Sequence, residues 1–291
     1  MISENDFLLE RRLYEEDPKL HTIFTNSVYA LQDILTNYQQ WFPTFTDHST
    51  LHSCQVINFC NNLIGKENIG KLNLDEIYIL LMGCYLHDSG MGVSKNDFYE
   101  FKDHIDLKGT RIDGDDVDIG SVIRKFHHEF AGQFIKKYAP FFEIPTEEHL
   151  FSIVQLARGH RKTDLMDPVE YPTDLKLNNG NTVDLAYLSV LIRLADEIDI
   201  AIDRNPYELY QDYSKYNEKD IREFNNHRAI KRLDILEDRF LFHVSPMGEE
   251  QKKDVDELMD KVRETLNYSL KVLHERTPFD IGPKFIDVVY E

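Results

Sequence analysis

A continuous apolar segment constrains the fold of this chain more than any other feature of the sequence. Residues 77–86 (IYILLMGCYL) are all apolar or small, and His87 and Asp88 follow immediately. The segment predicts a buried helix, and the two glycines of the following HDSGMG are typical of a helix stop. The chain must therefore build a bundle around this helix and place a histidine and a carboxylate at its end.

Asp88 occupies an unfavourable position unless a cation compensates its charge. A carboxylate at the edge of a buried helix loses solvation, and the partial negative charge of a helix C-terminus repels it. A metal ion bound beside His87 would remove both penalties. The alternative is a helix cap in which the Asp88 carboxylate stays solvated.

Further segments carry apolar residues at helical spacing. The segment VDLAYLSVLIRLADEIDI (183–200) is apolar on nearly every side, which places it inside the bundle. The polar stretch 97–120 predicts a solvated loop or lid instead. One further predicted helix is capped at Thr46 or Asp47 and runs through His52 to about Leu63. The other predicted helices cover residues 20–38, 121–138 and 146–159.

The character of the sequence changes after residue 205. Two alternating apolar segments, AIKRLDIL and RFLFHVS, flank Glu237-Asp238, a pattern typical of a β-hairpin. An amphipathic helix with an apolar face from Val255 to Leu273 follows, and FIDVVYE supplies a candidate third strand. We therefore predict a mainly α fold, with a helical core of residues 1–205 and a small α+β appendage (hairpin, helix, strand) of residues 206–291.

The chain is acidic, with a formal net charge of −19 from 52 acidic and 33 basic residues. This charge repels phosphate backbones and disfavours a broad nucleic-acid-binding face. It does not exclude a small anionic substrate, because metal ions or a local cluster of Arg and Lys can invert the potential inside a pocket. Hydrophobic residues make up 42% of the sequence, which is enough for a sizeable core.

The sequence predicts a soluble cytoplasmic protein. Its N-terminus (MISENDFLLERR) is charged from the start and has no signal-peptide core. The longest apolar stretch, residues 77–86, is about half the length that spans a bilayer. Cys54, Cys60 and Cys84 have neither zinc-finger nor redox-pair spacing, so we expect buried free thiols.

Two further positions suggest metal binding from their chemistry. His48 and His52 are four residues apart and fall on one face of the predicted helix, although this spacing is more often found in surface or capping histidines. Asp196 lies in the most hydrophobic helix of the chain, where a carboxylate needs a partner. That partner is a metal ion or, alternatively, Arg193 in a buried ion pair.

Five segments occur in an order that resembles the HD-domain superfamily of metal-dependent phosphohydrolases. Each lies at the end of a predicted helix, and together they cover residues 40–200, about half of the chain. The similarity is closest to HD-type domains of bacterial multidomain and conflict-system proteins, including those joined to an ATPase module. The segments are TDHSTLHSCQV (46–56), LLMGCYLHDSGM (80–91), IRKFHHEFAGQFI (123–135), LARGHRK (156–162) and LIRLADEIDI (191–200).

The resemblance implies a ligand set for one or two divalent metal ions. His87 and Asp88 are the pair that names the superfamily. His127 and His160 match the additional histidines of members with two metals, and Asp88 is the expected bridge. The first site is completed by His52 and Asp196.

Two of these assignments keep alternatives, and two neighbouring residues are further candidates. His127 is preferred to His128 because small residues follow it four and five positions later, as in the family. The alternative for His160 is a loop histidine beside two basic residues. His48 and Asp47 lie one turn before His52 and are candidates for supporting the ligands or contacting a substrate.

The implied chemistry is metal-assisted attack of water on phosphorus. Mixed His and Asp ligation suits Mn, Fe, Co, Ni or Zn better than Ca or Mg. Such ions lower the pKa of bound water and neutralise charge on phosphoryl oxygens. His87 and Asp88 are thus the expected catalytic centre, and Glu129 is a candidate proton relay. The expected substrate contacts are His48, Arg158, Arg161, Lys162 and Arg193, with Arg124 and Lys125 as second choices.

We therefore expect hydrolysis of a phosphate ester in a nucleotide or nucleotide-like small molecule. A nuclease is a rival, but the acidic charge and the lack of a basic aromatic stripe count against it. A rival of another class is a regulatory or scaffold module that keeps the fold without turnover. The appendage is a candidate surface for a homodimer or for docking into a larger assembly, and no membrane partner is expected.

Overall fold

The computed structural model describes residues 7–43, 50–110, 112, 117–201 and 218–291, and it is mainly α-helical. Short 3₁₀ turns join several helices, including Ser89–Gly92 directly after Asp88. The described α-helices are α1 (Leu8–Glu16), α2 (Pro18–Thr36), α3 (Thr50–Ile64), α4 (Leu74–Leu86), α5 (Lys95–Phe101), α6 (Ile119–Tyr138), α7 (Glu147–Gly159), α8 (Leu185–Ile198), α9 (Glu218–Ala229) and α10 (Glu249–Arg276). The strands are β1 (Leu175–Lys176), β2 (Thr182–Val183), β3 (Ile230–Ile235), β4 (Arg239–Val244) and β5 (Phe285–Tyr290).

Helix α4, which contains the apolar segment 77–86, is the centre of the core. Every residue from Asp75 to Leu86 is buried, and α4 packs against α1, α2, α3, α7 and α8. A capping box closes its N-terminus, because the side chains of Asn73 and Glu76 each accept a hydrogen bond from the other's backbone N–H. His87 is the C-cap residue directly after Leu86, so the packing of α4 fixes the position of the His-Asp pair.

Most of the predicted helices are present with similar bounds. Those predicted for 20–38, 121–138, 146–159 and 183–200 correspond to α2, α6, α7 and α8. The loop prediction for 97–120 is wrong at its start, because α5 extends to Phe101 and buries Phe98 and Phe101 in the core. The predicted cap at Thr46 or Asp47 lies outside the described residues.

The C-terminal elements also match the prediction. Strands β3 and β4 form the antiparallel hairpin around Glu237-Asp238, and β5 adds a third strand parallel to β4. The predicted amphipathic helix is α10, which packs directly against α8 of the helical core. The mainly α fold with a small C-terminal sheet is therefore confirmed. The boundary at residue 205 stays a prediction, since residues 202–217 lie outside the described part of the chain.

Gly90 allows the turn after His87-Asp88 to touch the backbone of α6. A Cβ atom at this position would lie 1.9 Å from the carbonyl oxygen of His127 and 2.6 Å from the amide nitrogen of Ala131. Gly90 does not have a positive backbone φ angle. The helix stops before the two glycines, as predicted, and Gly90 is in addition required for the close approach to α6.

We expect Gly90→Ala to lower the free energy of unfolding by about 2 kcal/mol or more, because backbone atoms must move to admit the methyl group. Gly70→Ala is the matched control, since a Cβ at Gly70 meets nothing within 4 Å. Urea unfolding of both variants measures the difference. Equal stability of the two variants would contradict the close-approach role of Gly90.

The N-terminus of α8 contains a buried carboxylate that is only partly satisfied. One oxygen of Asp184 accepts a hydrogen bond from the Tyr187 backbone N–H, while its other oxygen has no hydrogen-bond partner among the described residues. Burial raises the pKa of Asp184 to about 7, and the neighbouring Glu76 carboxylate contributes to the increase. Since Asp184 has an ordinary carboxyl pKa in the unfolded chain, its carboxyl group holds a proton more tightly in the folded protein.

This pKa difference makes the stability of the fold depend on pH. The contribution of Asp184 to the free energy of unfolding is fully present at low pH and is lost as the pH rises from about 4 to about 7. Asp184→Asn keeps the cap but does not titrate, so we expect its free energy of unfolding, relative to that of the wild type, to be about 2–3 kcal/mol higher at pH 8 than at pH 5. Urea unfolding at both pH values checks this. A stability difference that is the same at pH 5 and pH 8 would refute it.

Candidate metal centre

Four histidines and two aspartates converge where five helices meet. His52 is on α3, and Asp196 is on α8. His87 and His160 are the residues that end α4 and α7, and His127 follows a break in α6 at Phe126, whose backbone angles are not helical (φ −121°, ψ 18°). All six side chains of this His-Asp cluster are buried. The cluster comprises His52, His87, Asp88, His127, His160 and Asp196.

The first group of the cluster contains two histidines and two carboxylates. The Nε2 atoms of His52 and His87 are 3.2 Å apart. Asp88 Oδ2 lies 3.5 Å from the former and 3.2 Å from the latter. Asp196 Oδ1 lies 3.3 Å from His52 Nε2 and 3.8 Å from His87 Nε2. Because metal bonds of about 2 Å place the ligand atoms of one ion about 3–4 Å apart, these atoms could hold one metal ion.

The second group uses the other oxygen of Asp88. Asp88 Oδ1 lies 3.5 Å from His127 Nε2 and 3.7 Å from His160 Nε2, and these two nitrogens are 2.9 Å apart. Asp88 therefore faces one group with each carboxylate oxygen, which is the arrangement of a bridging ligand. The geometry includes His127 in the cluster and leaves His128 out of it.

Backbone carbonyls determine which ring nitrogen faces the cluster. The Nδ1 atoms of His87, His127 and His160 contact the carbonyl oxygens of Cys84, Arg124 and Ala157, each three residues earlier in the chain. A carbonyl oxygen only accepts, so each Nδ1–H must be the donor. In the neutral imidazole each Nε2 then carries a lone pair, which is the form that binds a metal.

These lone pairs could bind a cation. Burial lowers the pKa of His127 and lowers that of His160 well below its ordinary value, so both rings are neutral near pH 7. Two neutral Nε2 lone pairs at 2.9 Å repel each other unless a positive charge lies between them. The donor set of four imidazoles and two carboxylates therefore fits one or two divalent transition metal ions.

Asp199 supports the first group from outside. Its Oδ2 accepts a hydrogen bond from His52 Nδ1 at 2.6 Å, and both side chains are buried. A carboxylate behind a metal-binding histidine fixes the ring orientation and makes its Nε2 more basic. Asp199 was not predicted from the sequence, because nothing local marks it as a partner of the distant His52.

A cavity of about 630 Å³ opens beside the second group and is lined by His127 and His160. Two carboxylates, Glu197 and Glu264, also line it. They are outnumbered by cationic side chains, so the cavity is locally basic in a chain whose net charge is −19. The cationic residues are Arg124, Lys125, Arg161, Lys162, Arg193 and Lys261.

Of the predicted substrate contacts, Arg161 and Lys162 are the best placed. Both are exposed to the cavity, and Arg161 Nε lies 3.5 Å from His127 Nε2. Arg193 lines the cavity too, but its Nε donates to the Gly159 carbonyl and its Nη2 to that of Thr163. The alternative ion pair between Arg193 and Asp196 is therefore not formed.

Other predicted contacts lie elsewhere. Arg158 and Glu129 form a two-point ion pair, with nitrogen-to-oxygen distances of 2.9 and 3.1 Å, and neither is among the residues that line the cavity. Each thereby satisfies the other, which leaves Glu129 poorly placed as a proton relay. His48 lies outside the described residues.

His128 is a neutral ring, like His127 and His160. Burial lowers the pKa of His128 to about 3.

One wall of the cavity was not predicted from the sequence. Lys261, Thr265 and Tyr268 of α10 line it, although α10 was assigned to the appendage. They are spaced as one face of a helix, but the sequence gives no sign that this polar face meets the His-Asp cluster.

A model of the HD-CE family matches residues 42–275. The chain belongs to the HD-CE family. The HD-CE match includes the whole His-Asp cluster and confirms the resemblance to HD-type domains. It also crosses residue 205 and includes α10 except for its last residue. The wall that α10 supplies is thus part of the HD-CE region.

No curated protein and no solved structure matches the chain. Among its described residues, no helix combines the length and the apolar character that crossing a bilayer requires.

We expect Asp199→Ala to weaken metal affinity about 10–100-fold, because His52 loses the acceptor that orients it. Asp75→Ala is the matched control. It breaks another buried Asp–His pair, in which Asp75 Oδ1 lies 2.9 Å from His149 Nε2 outside the cluster. Competition against a chromophoric chelator measures Mn²⁺ and Zn²⁺ affinity in each variant. Equal affinities for Asp199→Ala and Asp75→Ala would contradict the supporting role of Asp199.

Proposed function

We propose that this HD-CE protein is a metal-dependent phosphohydrolase that cleaves a phosphate ester in a nucleotide or nucleotide-like small molecule. The single observation that supports this most strongly is the division of the Asp88 oxygens between two groups of metal-binding atoms. A basic cavity lies directly beside one of these groups. Metal ions next to an anion-binding pocket suit phosphoryl chemistry.

The predicted residue roles follow from their positions. His52, His87, Asp88 and Asp196 would hold one ion, and Asp88 would share a second ion with His127 and His160. Divalent ions bound there supply Lewis acidity, which makes water acidic enough to attack phosphorus near neutral pH.

The chain's own side chains would bind and orient the phosphate. Arg161 is within reach of the second group and exposed to the cavity, so its guanidinium can donate to phosphoryl oxygens. Lys162 follows it on the same wall. Hydrolysis joins the water oxygen to phosphorus while the bond from phosphorus to the leaving oxygen breaks. One proton passes from the water to solvent or to the leaving oxygen.

A hydrolysis screen tests this function. The wild-type protein, loaded in turn with Mn²⁺, Co²⁺, Ni²⁺ and Zn²⁺, is assayed on p-nitrophenyl phosphate, bis-p-nitrophenyl phosphate and a nucleotide panel. We expect metal-dependent release of product. We also expect Asp88→Ala to lower kcat/KM by about a thousandfold or more, because several kcal/mol of charge stabilisation is lost.

Asp75→Asn serves as the control, since it changes a buried carboxylate outside the cluster. It should leave kcat/KM within about threefold of the wild-type value, which corresponds to a change of less than about 1 kcal/mol in the activation free energy. Metal content is measured on each sample. A fully metal-loaded wild type that hydrolyses none of the substrates, or an Asp88→Ala variant as active as wild type, would refute the proposed function.

A further inference from the structure

The basic wall of the cavity holds more positive charge than one phosphate group requires. Arg161, Lys162 and Lys261 line the cavity, and no carboxylate of the described residues lies within 4.0 Å of their charged nitrogens. Divalent ions at the His-Asp cluster would already match the charge of a single phosphate. None of these three cations is paired with a carboxylate, although Arg161 Nε also contacts His127 Nε2, so they are available to further anionic groups of the same ligand.

Helix α10 is fixed opposite the segment that carries Arg161 and Lys162. The Tyr268 hydroxyl donates to Asp164 Oδ1 at 2.8 Å and accepts from the backbone N–H of Leu165 at 2.7 Å. Arg276, at the end of α10, donates to the carbonyl oxygen of Leu165. Because both residues bind the chain just after Lys162, the two walls of the cavity are held in a fixed relation.

One face of α10 is directed into the cavity. Lys261 and Thr265 are four residues apart, so their side chains are neighbours on the helix surface, and both line the cavity. Lys261 is exposed, which leaves its ammonium group able to reach a ligand. A hydroxyl and an ammonium group beside each other are suitable donors for phosphate oxygens.

We propose that the cavity binds a chain of two or more linked phosphates, as in nucleoside di- and triphosphates, and that Lys261 of α10 binds the phosphate farther from the metal centre. The inference rests on the proposed function for the location of the first phosphate. A cavity of about 630 Å³ accommodates such a compound, while the overall charge of −19 opposes a polynucleotide.

Calorimetric titration with inorganic phosphate, pyrophosphate and tripolyphosphate tests this. Each probe is added with equimolar Mg²⁺ to metal-loaded protein, and metal content is measured before and after to show that the probe has not removed the metal. We expect tripolyphosphate to bind at least about tenfold more tightly than phosphate, since it adds charge-assisted contacts. Added KCl should weaken the binding of tripolyphosphate.

The variant Lys261→Ala should weaken tripolyphosphate binding about tenfold and leave phosphate binding within about twofold. Lys253→Ala is the matched control on the same helix, because Lys253 is exposed, lies 4.0 Å from Glu257 and does not line the cavity. Equal affinity for phosphate and tripolyphosphate, or equal effects of the two substitutions, would overturn the inference.

Asp88→Ala separates this inference from the proposed function. The substitution removes the shared ligand of the two metal groups but leaves the α10 wall intact. Tripolyphosphate should still bind to this variant in a manner that depends on Lys261. If the wild type binds no transition metal, the proposed function fails, while a Lys261-dependent preference for tripolyphosphate would still support the anion site. If that preference is absent in both proteins, the anion site itself is refuted.

Discussion

The carboxylate of Asp88 is the group on which the whole arrangement depends. It lies beside His87 at the end of the buried helix α4, with one oxygen toward His52 and His87 and the other toward His127 and His160. A buried carboxylate has a high cost in solvation energy unless positive charge is bound there. The same atoms that would destabilise a metal-free core are the ones that would hold metal ions.

The fold brings these groups together through helix ends. His87 and His160 end their helices, and His127 follows the break at Phe126. Gly90 brings the turn after Asp88 against the backbone of α6, where a methyl group would overlap the His127 carbonyl. The position of the second group relative to Asp88 is thus set by backbone packing, and it is more rigid than side-chain contacts alone would make it.

Local patterns in the sequence predicted the core and the His-Asp cluster. Contacts between residues far apart in the chain could not be predicted from such patterns. The apolar segment 77–86 and the order of the five motifs located α4 and the six cluster residues. The hydrogen bond between His52 and Asp199 joins residues 147 positions apart, and no spacing rule reveals it. Arg158 and Glu129 looked equivalent to other polar residues near the motifs, yet they bind each other.

The wall formed by α10 was missed for a related reason. Lys261 resembles any other lysine on the polar face of an amphipathic helix, and only the packing of α10 against α8 brings it to the cavity. The region matched by the HD-CE family includes this helix. We therefore propose that the C-terminal part of the chain participates in ligand binding, in addition to any role as a surface for assembly.

Anomalous X-ray diffraction from crystals grown with Mn²⁺ would show whether Asp88 is shared by two metal ions. If it is, two anomalous peaks lie on opposite sides of the Asp88 carboxylate, one near His52, His87 and Asp196 and the other near His127 and His160. Data collected on both sides of the manganese absorption edge would identify the ion. The absence of any peak within bonding distance of Asp88, in crystals that contain manganese elsewhere, would contradict the account.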